Sequence, residues 1–75
     1  MKKKLVILYK DGGKIKITNS ACTDNRVFRE YFKDIPVISI ESAILYTYPL
    51  KTHEPLVLVE NGEQITENVE EFMKS

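Results

Sequence analysis

The fold is decided first by residues 3–18, which read KKLVILYKDGGKIKIT. Residues 5–9 are apolar and rich in β-branched and aromatic side chains, which is typical of a strand. Residues 11–13 are Asp-Gly-Gly, a turn signal in which glycine supplies the positive φ that tight hairpin turns require. Charged and apolar residues then alternate, as in a strand with one face in water. We therefore predict a β-hairpin in which Ile15 and Ile17 point toward a core.

The register of this hairpin has two candidates. A two-residue loop would pair Leu8 with Ile15, whereas a three-residue loop with a left-handed Gly13 would pair Tyr9 with Ile15. Both registers direct Ile15 and Ile17 inward, so the sequence leaves the choice between them open.

A helix is predicted between this hairpin and Pro36. Thr23 or Asp24 could cap its N-terminus, and Pro36 ends it because the residue before a proline disfavours helical geometry. Four apolar residues recur with helical spacing and should form one buried stripe. They are Phe28, Tyr31, Phe32 and Ile35.

Residues 37–48 favour a long strand, with a short helix over residues 39–45 as the alternative. Twelve extended residues would span about 40 Å, roughly twice the length of a typical strand. Such a strand must bend near residues 41–42 or extend past its neighbours. One side of it would carry Ile38, Ile40, Ile44, Tyr46 and Tyr48.

The C-terminal third predicts a hairpin followed by a helix. Residues 56–59 form an apolar strand, Asn61-Gly62 is a strong hairpin turn, and residues 63–65 could form a short return strand. Asn68 and Glu71 have the spacing of a capping box. The apolar stripe of the last helix consists of Ile65, Val69, Phe72 and Met73.

These elements predict an α+β protein with the approximate order β-β-α-β-β-(β)-α. A length of 75 residues allows a single domain, residues 1–75. Runs of strands with helices set between them favour one small antiparallel or mixed sheet of four to five strands with two helices.

The cellular compartment is inferred from cysteine usage and from the apolar segments. A single cysteine, Cys22, excludes an intramolecular disulfide, whereas small secreted domains are usually rich in disulfides. The apolar run near the N-terminus is too short for a signal peptide, and no stretch approaches a membrane span. We expect a cytoplasmic protein, and its Lys, Ile, Glu and Asn content would suit a bacterial or phage genome.

Charge is unevenly distributed although the formal net charge is zero. The first 16 residues contain six lysines, and residues 54–75 contain six glutamates. This asymmetry either marks a surface for a charged partner or places the two ends side by side, where they neutralise each other. We favour the second interpretation, because surface charge mostly serves solubility.

Catalysis and metal binding have little support in the sequence. Cys22 and His53 are the only possible nucleophile and base pair, but no acid is placed to orient His53 and no catalytic motif surrounds Cys22. There is no CxxC, HxxxH or calcium-loop spacing. We therefore expect Cys22 to be a packing residue, and the chain to have no enzymatic activity, cofactor or metal.

The sequence best fits a small protein-interaction module that self-associates as a homodimer or binds a partner protein. Residues 5–9 and 56–59 are apolar on both faces of their strands, and such strands are normally covered on both sides. One layer of helix covers one side only, unless the second helix packs on the other. The predicted contact residues are Ile44, Tyr46, Tyr48 and Leu50.

Nucleic-acid binding is the alternative function, with Tyr9 available to stack on a base. The isoelectric point of about 6.6 is low for such a protein. The alternative interpretation is that these lysines belong to an edge strand that resists aggregation, for which lysines are typical. The candidate nucleic-acid contacts are Lys3, Lys4, Lys14 and Lys16.

Overall fold

The computed structural model describes residues 2–19 and 25–74. These residues form one five-stranded antiparallel sheet and two α-helices, which confirms the predicted α+β class and element order. The strand order across the sheet is β2-β1-β3-β4-β5, so β3 is central. The elements are β1 (Lys3–Tyr9), β2 (Lys14–Asn19), α1 (Arg26–Asp34), a 3₁₀ turn (Val37–Ser39), β3 (Ile40–Thr47), β4 (Leu56–Glu60), β5 (Glu63–Gln64) and α2 (Thr66–Lys74).

Both helices pack on the same face of the sheet. The buried residues of α1 and α2 belong to one hydrophobic cluster together with the inward side chains of the strands. The suggestion that the second helix could cover the other face is therefore wrong. The cluster comprises Leu5, Ile7, Phe28, Phe32, Ile40, Ala43, Leu45, Leu58, Val59, Val69 and Phe72.

The first hairpin has neither of the two expected registers. Ile7 pairs with Ile15, and the Tyr9 N–H donates to the Gly13 carbonyl at 2.7 Å. Gly12, not Gly13, takes the positive φ, at 95°, so the loop closes one residue earlier than a left-handed Gly13 would allow. Ile15 and Ile17 still lie on the core side of the sheet, as predicted.

Helix α1 confirms the predicted stripe only in part. Phe28 and Phe32 are buried, but Tyr31 is 50% exposed, so its assignment to the core is wrong. At about 100° per residue, Tyr31 lies on the opposite side of Phe28 from Phe32, and the sheet contacts the Phe32 side. Ile35 caps the helix and packs against the core, with its N–H donating to the Phe32 carbonyl. The proposed capping residues and Cys22 lie outside the described residues.

Strand β3 is shorter than the twelve residues expected. The 3₁₀ turn precedes it and leaves Ile38 79% exposed. Tyr9 pairs with Ile40 and Leu8 with Ser42, so Glu41 is an extra residue in the strand and marks the predicted bend. This extra residue places Ile40 in the core, away from the side that carries Ile44 and Tyr46. β3 pairs with β1 along its whole length but with β4 only over residues 43–45, so Tyr46 and Thr47 extend past β4 on that side.

The second hairpin confirms its predicted turn. Asn61 and Gly62 both have positive φ, at 53° and 77°, as a two-residue type I′ turn requires. The short return strand is β5. Helix α2 begins before Asn68, so the expected capping box is wrong: the Asn68 side-chain amide donates instead to the Val57 carbonyl at 2.8 Å.

Candidate protein-interaction face

The sheet face that points away from the helices carries five apolar side chains. Register and alternation place them there: Val6 lies between the fully buried Leu5 and Ile7 and pairs with Ile44. Each of the five retains part of its exposure. We call this set the apolar strip: Val6 and Leu8 from β1, Ile44 and Tyr46 from β3, and Val57 from β4.

The apolar strip is separate from the core. The half-buried apolar residues that pack against the core are Tyr9, Ile17, Ile35, Val37, Leu56 and Met73, and none of these belongs to the strip. Val6, Ile44 and Val57 are direct cross-strand partners, and Leu8 and Tyr46 lie two residues further along β1 and β3 on the same face, which has no layer of helix over it. A contiguous apolar surface of this kind is typical of an interaction site.

Lysines lie along one side of the strip. Lys14 pairs with Leu8 and Lys16 pairs with Val6, so both side chains share the strip's face and both are exposed. They stand on β2, which is an edge strand, as expected from its lysines. Lys4 pairs with Tyr46 and adds a third amine on the same face. We call Lys14 and Lys16 the lysine edge.

Lys3 does not join the other candidate nucleic-acid contacts. It alternates with Lys4 and points to the helix side, where its Nζ donates to Oδ1 of the buried Asn25 at 2.7 Å. Tyr9 also lies on the helix side and packs against the core. The expected position of Tyr9 near the lysines of the open face is therefore wrong, and the ring that lies beside one of them is Tyr46, the cross-strand partner of Lys4.

Two carboxylates lie on the opposite side of the strip. Val59 is in the core, so its neighbour Glu60 points to the open face, and Glu60 pairs with Glu63 of β5. Both glutamates are exposed. We call Glu60 and Glu63 the glutamate edge.

The lysine edge and the glutamate edge do not neutralise each other within this sheet. β2 and β5 are its opposite edges, with three strands between them. Lys10 lies nearer to the acidic side, because its side chain is beside Gly62 and Glu41, near the turn that follows β4. The open face therefore has a positive edge, a middle that is apolar apart from Lys4, and a negative edge.

The four predicted contact residues occupy different parts of this surface. Ile44 and Tyr46 belong to the apolar strip. Tyr48 lies just beyond the end of β3, with Lys2 Nζ 5.1 Å from its ring centroid, and Leu50 is half exposed in the following turn. Sequence reasoning missed Val6, Leu8 and Val57 as contact residues, although the two-sided apolar character of their strands was the signal for them.

Other parts of the described chain are weaker candidates for a functional site. An open depression of about 200 Å³ is lined by Tyr9, Lys10, Asp11, Ile38 and Ser39. His53 Nδ1 lies 3.1 Å from the Pro49 carbonyl in an exposed turn. Among the described residues, no group of three or more His, Cys, Asp or Glu side chains could hold a metal ion.

Comparisons with models of protein families, with curated proteins and with solved structures found no match to this chain. Within residues 2–19 and 25–74, no helix has the length and apolar character needed to cross a membrane. The chemistry of the open face is therefore the evidence from which a function is inferred.

Proposed function

We propose that this protein is a small, non-enzymatic protein-interaction module that binds a protein partner through the open face of its sheet. The observation that carries this proposal is the apolar strip, which lies on the side of the sheet opposite both helices. We also propose a cytoplasmic location, because the chain has a single cysteine whereas small secreted domains are usually rich in disulfides.

The shape of the surface favours a protein over a small molecule. Small-molecule sites are concave and enclose most of their ligand, whereas the strip lies on a sheet and is formed by side chains from three neighbouring strands. Covering apolar area is favourable by about 25 cal/mol per Å². A partner with its own apolar surface gains this free energy along the whole strip.

Site-specific photo-crosslinking tests the proposal. Tyr46 lies in the strip, and Tyr31 is an exposed tyrosine on the helix side. Each is replaced in turn by p-benzoylphenylalanine in the full chain, which is then irradiated in cells and in purified form. We expect protein adducts from position 46 and few from position 31, because only the former lies in the proposed contact surface.

The substitution Ile44→Asp provides the matched loss of function. A carboxylate in the middle of the strip should suppress the adducts at position 46, because it would be buried without a partner in the complex. A far-ultraviolet circular dichroism spectrum checks that the variant keeps its fold. Equal crosslinking from both positions, or none from position 46, would contradict the proposal.

Nucleic-acid binding is a second candidate, favoured by one observation. Lys4 and Tyr46 are direct cross-strand neighbours on the face that also carries the lysine edge, and an aromatic ring among cations is typical of single-strand binding. Glu60 and Glu63 on the same face oppose it. Anisotropy of labelled single-stranded DNA and RNA, titrated at two salt concentrations, measures such binding. It should disappear in Lys14→Glu/Lys16→Glu.

A further inference from the structure

We propose that the partner is a second copy of this chain, packed open face against open face about a two-fold axis that runs parallel to the strands. This inference rests on the proposed function and names its partner. It is carried by the separation of charge across the face, because the lysine edge of one copy then lies over the glutamate edge of the other.

The strand order makes this geometry self-complementary. With β3 in the middle of the order β2-β1-β3-β4-β5, an axis above β3 sets β3 against β3 of the second copy. The same rotation sets β1 against β4 and β2 against β5. Packed sheets keep their strands within about 30° of each other and lie about 10 Å apart, so side chains from the two open faces would meet.

Positions along the strands also match. Lys14, Leu8 and Ser42 form one row across β2, β1 and β3. Ala43 pairs with Val59, so the next pair places Glu60 beside Ser42, and Glu63 beside Glu60 completes the row. Rotation about an axis parallel to the strands keeps each row at its own height. Lys14 therefore meets the glutamate edge of the second copy, and Lys16 is one row away from it.

The alternative two-fold axis in the interface lies across the strands and is disfavoured by charge. It would place β2 over β2 and β5 over β5, bringing lysine against lysine and glutamate against glutamate. Like charges placed opposite each other across an interface destabilise it. The same apolar strip would be covered in both arrangements, so charge selects the axis parallel to the strands.

The size of the face sets the expected affinity. Five strands about 4.8 Å apart and about five residues deep give a face of roughly 20 × 17 Å, which is smaller than the about 800 Å² per partner of a standard interface. We therefore expect a reversible dimer with a dissociation constant on the order of 10–100 µM.

Charge reversal at the two edges tests the arrangement by sedimentation equilibrium. Lys14→Glu/Lys16→Glu makes both edges acidic, and Glu60→Lys/Glu63→Lys makes both edges basic. Each variant alone should dimerise about tenfold more weakly than the unmodified chain, because every edge contact becomes repulsive. An equimolar mixture of the two should recover the dimer as a heterodimer, because acidic edges then lie over basic edges.

Matched controls carry the same change in net charge on the helix side. Lys33→Glu/Lys74→Glu and Glu30→Lys/Glu70→Lys reverse exposed residues of α1 and α2. At 0.5 M salt, where long-range repulsion is screened, each control should have the same dissociation constant as the unmodified chain. A preference for the heterodimer that also appears in the control pair would attribute it to net charge and overturn the inference.

The outcomes separate this inference from the proposed function. If the unmodified chain stays monomeric at 1 mM, the homodimer is overturned. Crosslinked adducts between position 46 and another protein would still support the proposed interaction module. If a mixture of Lys14→Glu/Lys16→Glu with the unmodified chain dimerises more strongly than the unmodified chain alone, the two-fold axis lies across the strands. Binding of labelled nucleic acid by a monomeric chain would overturn the inference in favour of the second candidate.

Discussion

The rings of Phe32 and Phe72 meet edge to face, with their centroids 5.7 Å apart and their planes at 88°. Phe32 belongs to α1 and Phe72 to α2, so this contact joins the two helices above the same face of the sheet. With both helices on one side, the other side retains Val6, Ile44 and the rest of the apolar strip as surface. The core contact and the proposed interface are thus two results of one arrangement.

The contact between Phe32 and Phe72 should be measurable as a coupling energy. We expect a double-mutant cycle with Phe32→Leu and Phe72→Leu to give a coupling of about 0.5–1.5 kcal/mol in the free energy of unfolding, because an edge-to-face aromatic pair is stabilised beyond its buried area. Urea denaturation of the four proteins measures it. Strict additivity of the two single substitutions would show that the rings do not interact.

Truncation of α1 should separate its buried residues from its exposed ones. Phe32→Ala should lower the free energy of unfolding by about 3–5 kcal/mol, because it leaves a cavity between helix and sheet. Tyr31→Ala, on the exposed side, should change it by less than about 1 kcal/mol. Thermal and urea unfolding measure both. If Phe32→Ala leaves no folded protein, Phe32→Leu provides the comparison, and a larger loss from Tyr31→Ala would contradict the orientation of α1.

Lys3 and Lys4 should differ in their effects although they are adjacent. Lys3→Met removes the donor to the buried Asn25 side chain and should lower the free energy of unfolding by about 1–3 kcal/mol, because a buried acceptor loses a charged partner. Lys4→Met, on the open face, should change it by no more than about 0.5 kcal/mol. Urea denaturation compares the two, and equal effects would contradict their opposite orientations.

Replacing either of the two glycines with positive φ, Gly12 or Gly62, should lower the free energy of unfolding. Gly12→Ala places a side chain in open space, so strain at positive φ alone should lower the free energy of unfolding by about 1–2 kcal/mol. Gly62→Ala should lower it at least as much, because its Cβ would also lie 3.2 Å from Cε of Lys10, which must move. Urea denaturation checks the order, and a milder effect at Gly62 would contradict it.

The lysine edge should be dispensable for folding of the single chain. Both lysines are exposed and alternate with isoleucines on the core side, so Lys14→Glu/Lys16→Glu should change the free energy of unfolding by under about 1 kcal/mol. The measurement is made at 1 µM protein, far below the expected dissociation constant. A loss of several kcal/mol would show that these side chains support the fold itself.

The sequence predicted those elements whose geometry depends only on residues close to one another along the chain. The Asn61-Gly62 turn was predictable because positive φ at two successive positions favours those residue types. The burial of Phe28 and Phe32 followed from their helical spacing, and the edge position of β2 followed from its lysines. Ile44 and Tyr46 of the candidate site were predictable because they alternate along the sequence as the apolar side of one strand.

The sequence by itself therefore determined the order of strands and helices and the two-sided apolar character of β1 and β4. Tertiary structure decided which glycine closes the first hairpin, the exposure of Tyr31, and the extra residue at Glu41 that turns Ile40 into the core. It also decided that both helices share one face and that the lysine and glutamate edges stand apart. These features depend on packing between segments distant along the chain, where many local patterns are compatible with more than one side of a sheet, and only the combined burial of the core selects among them.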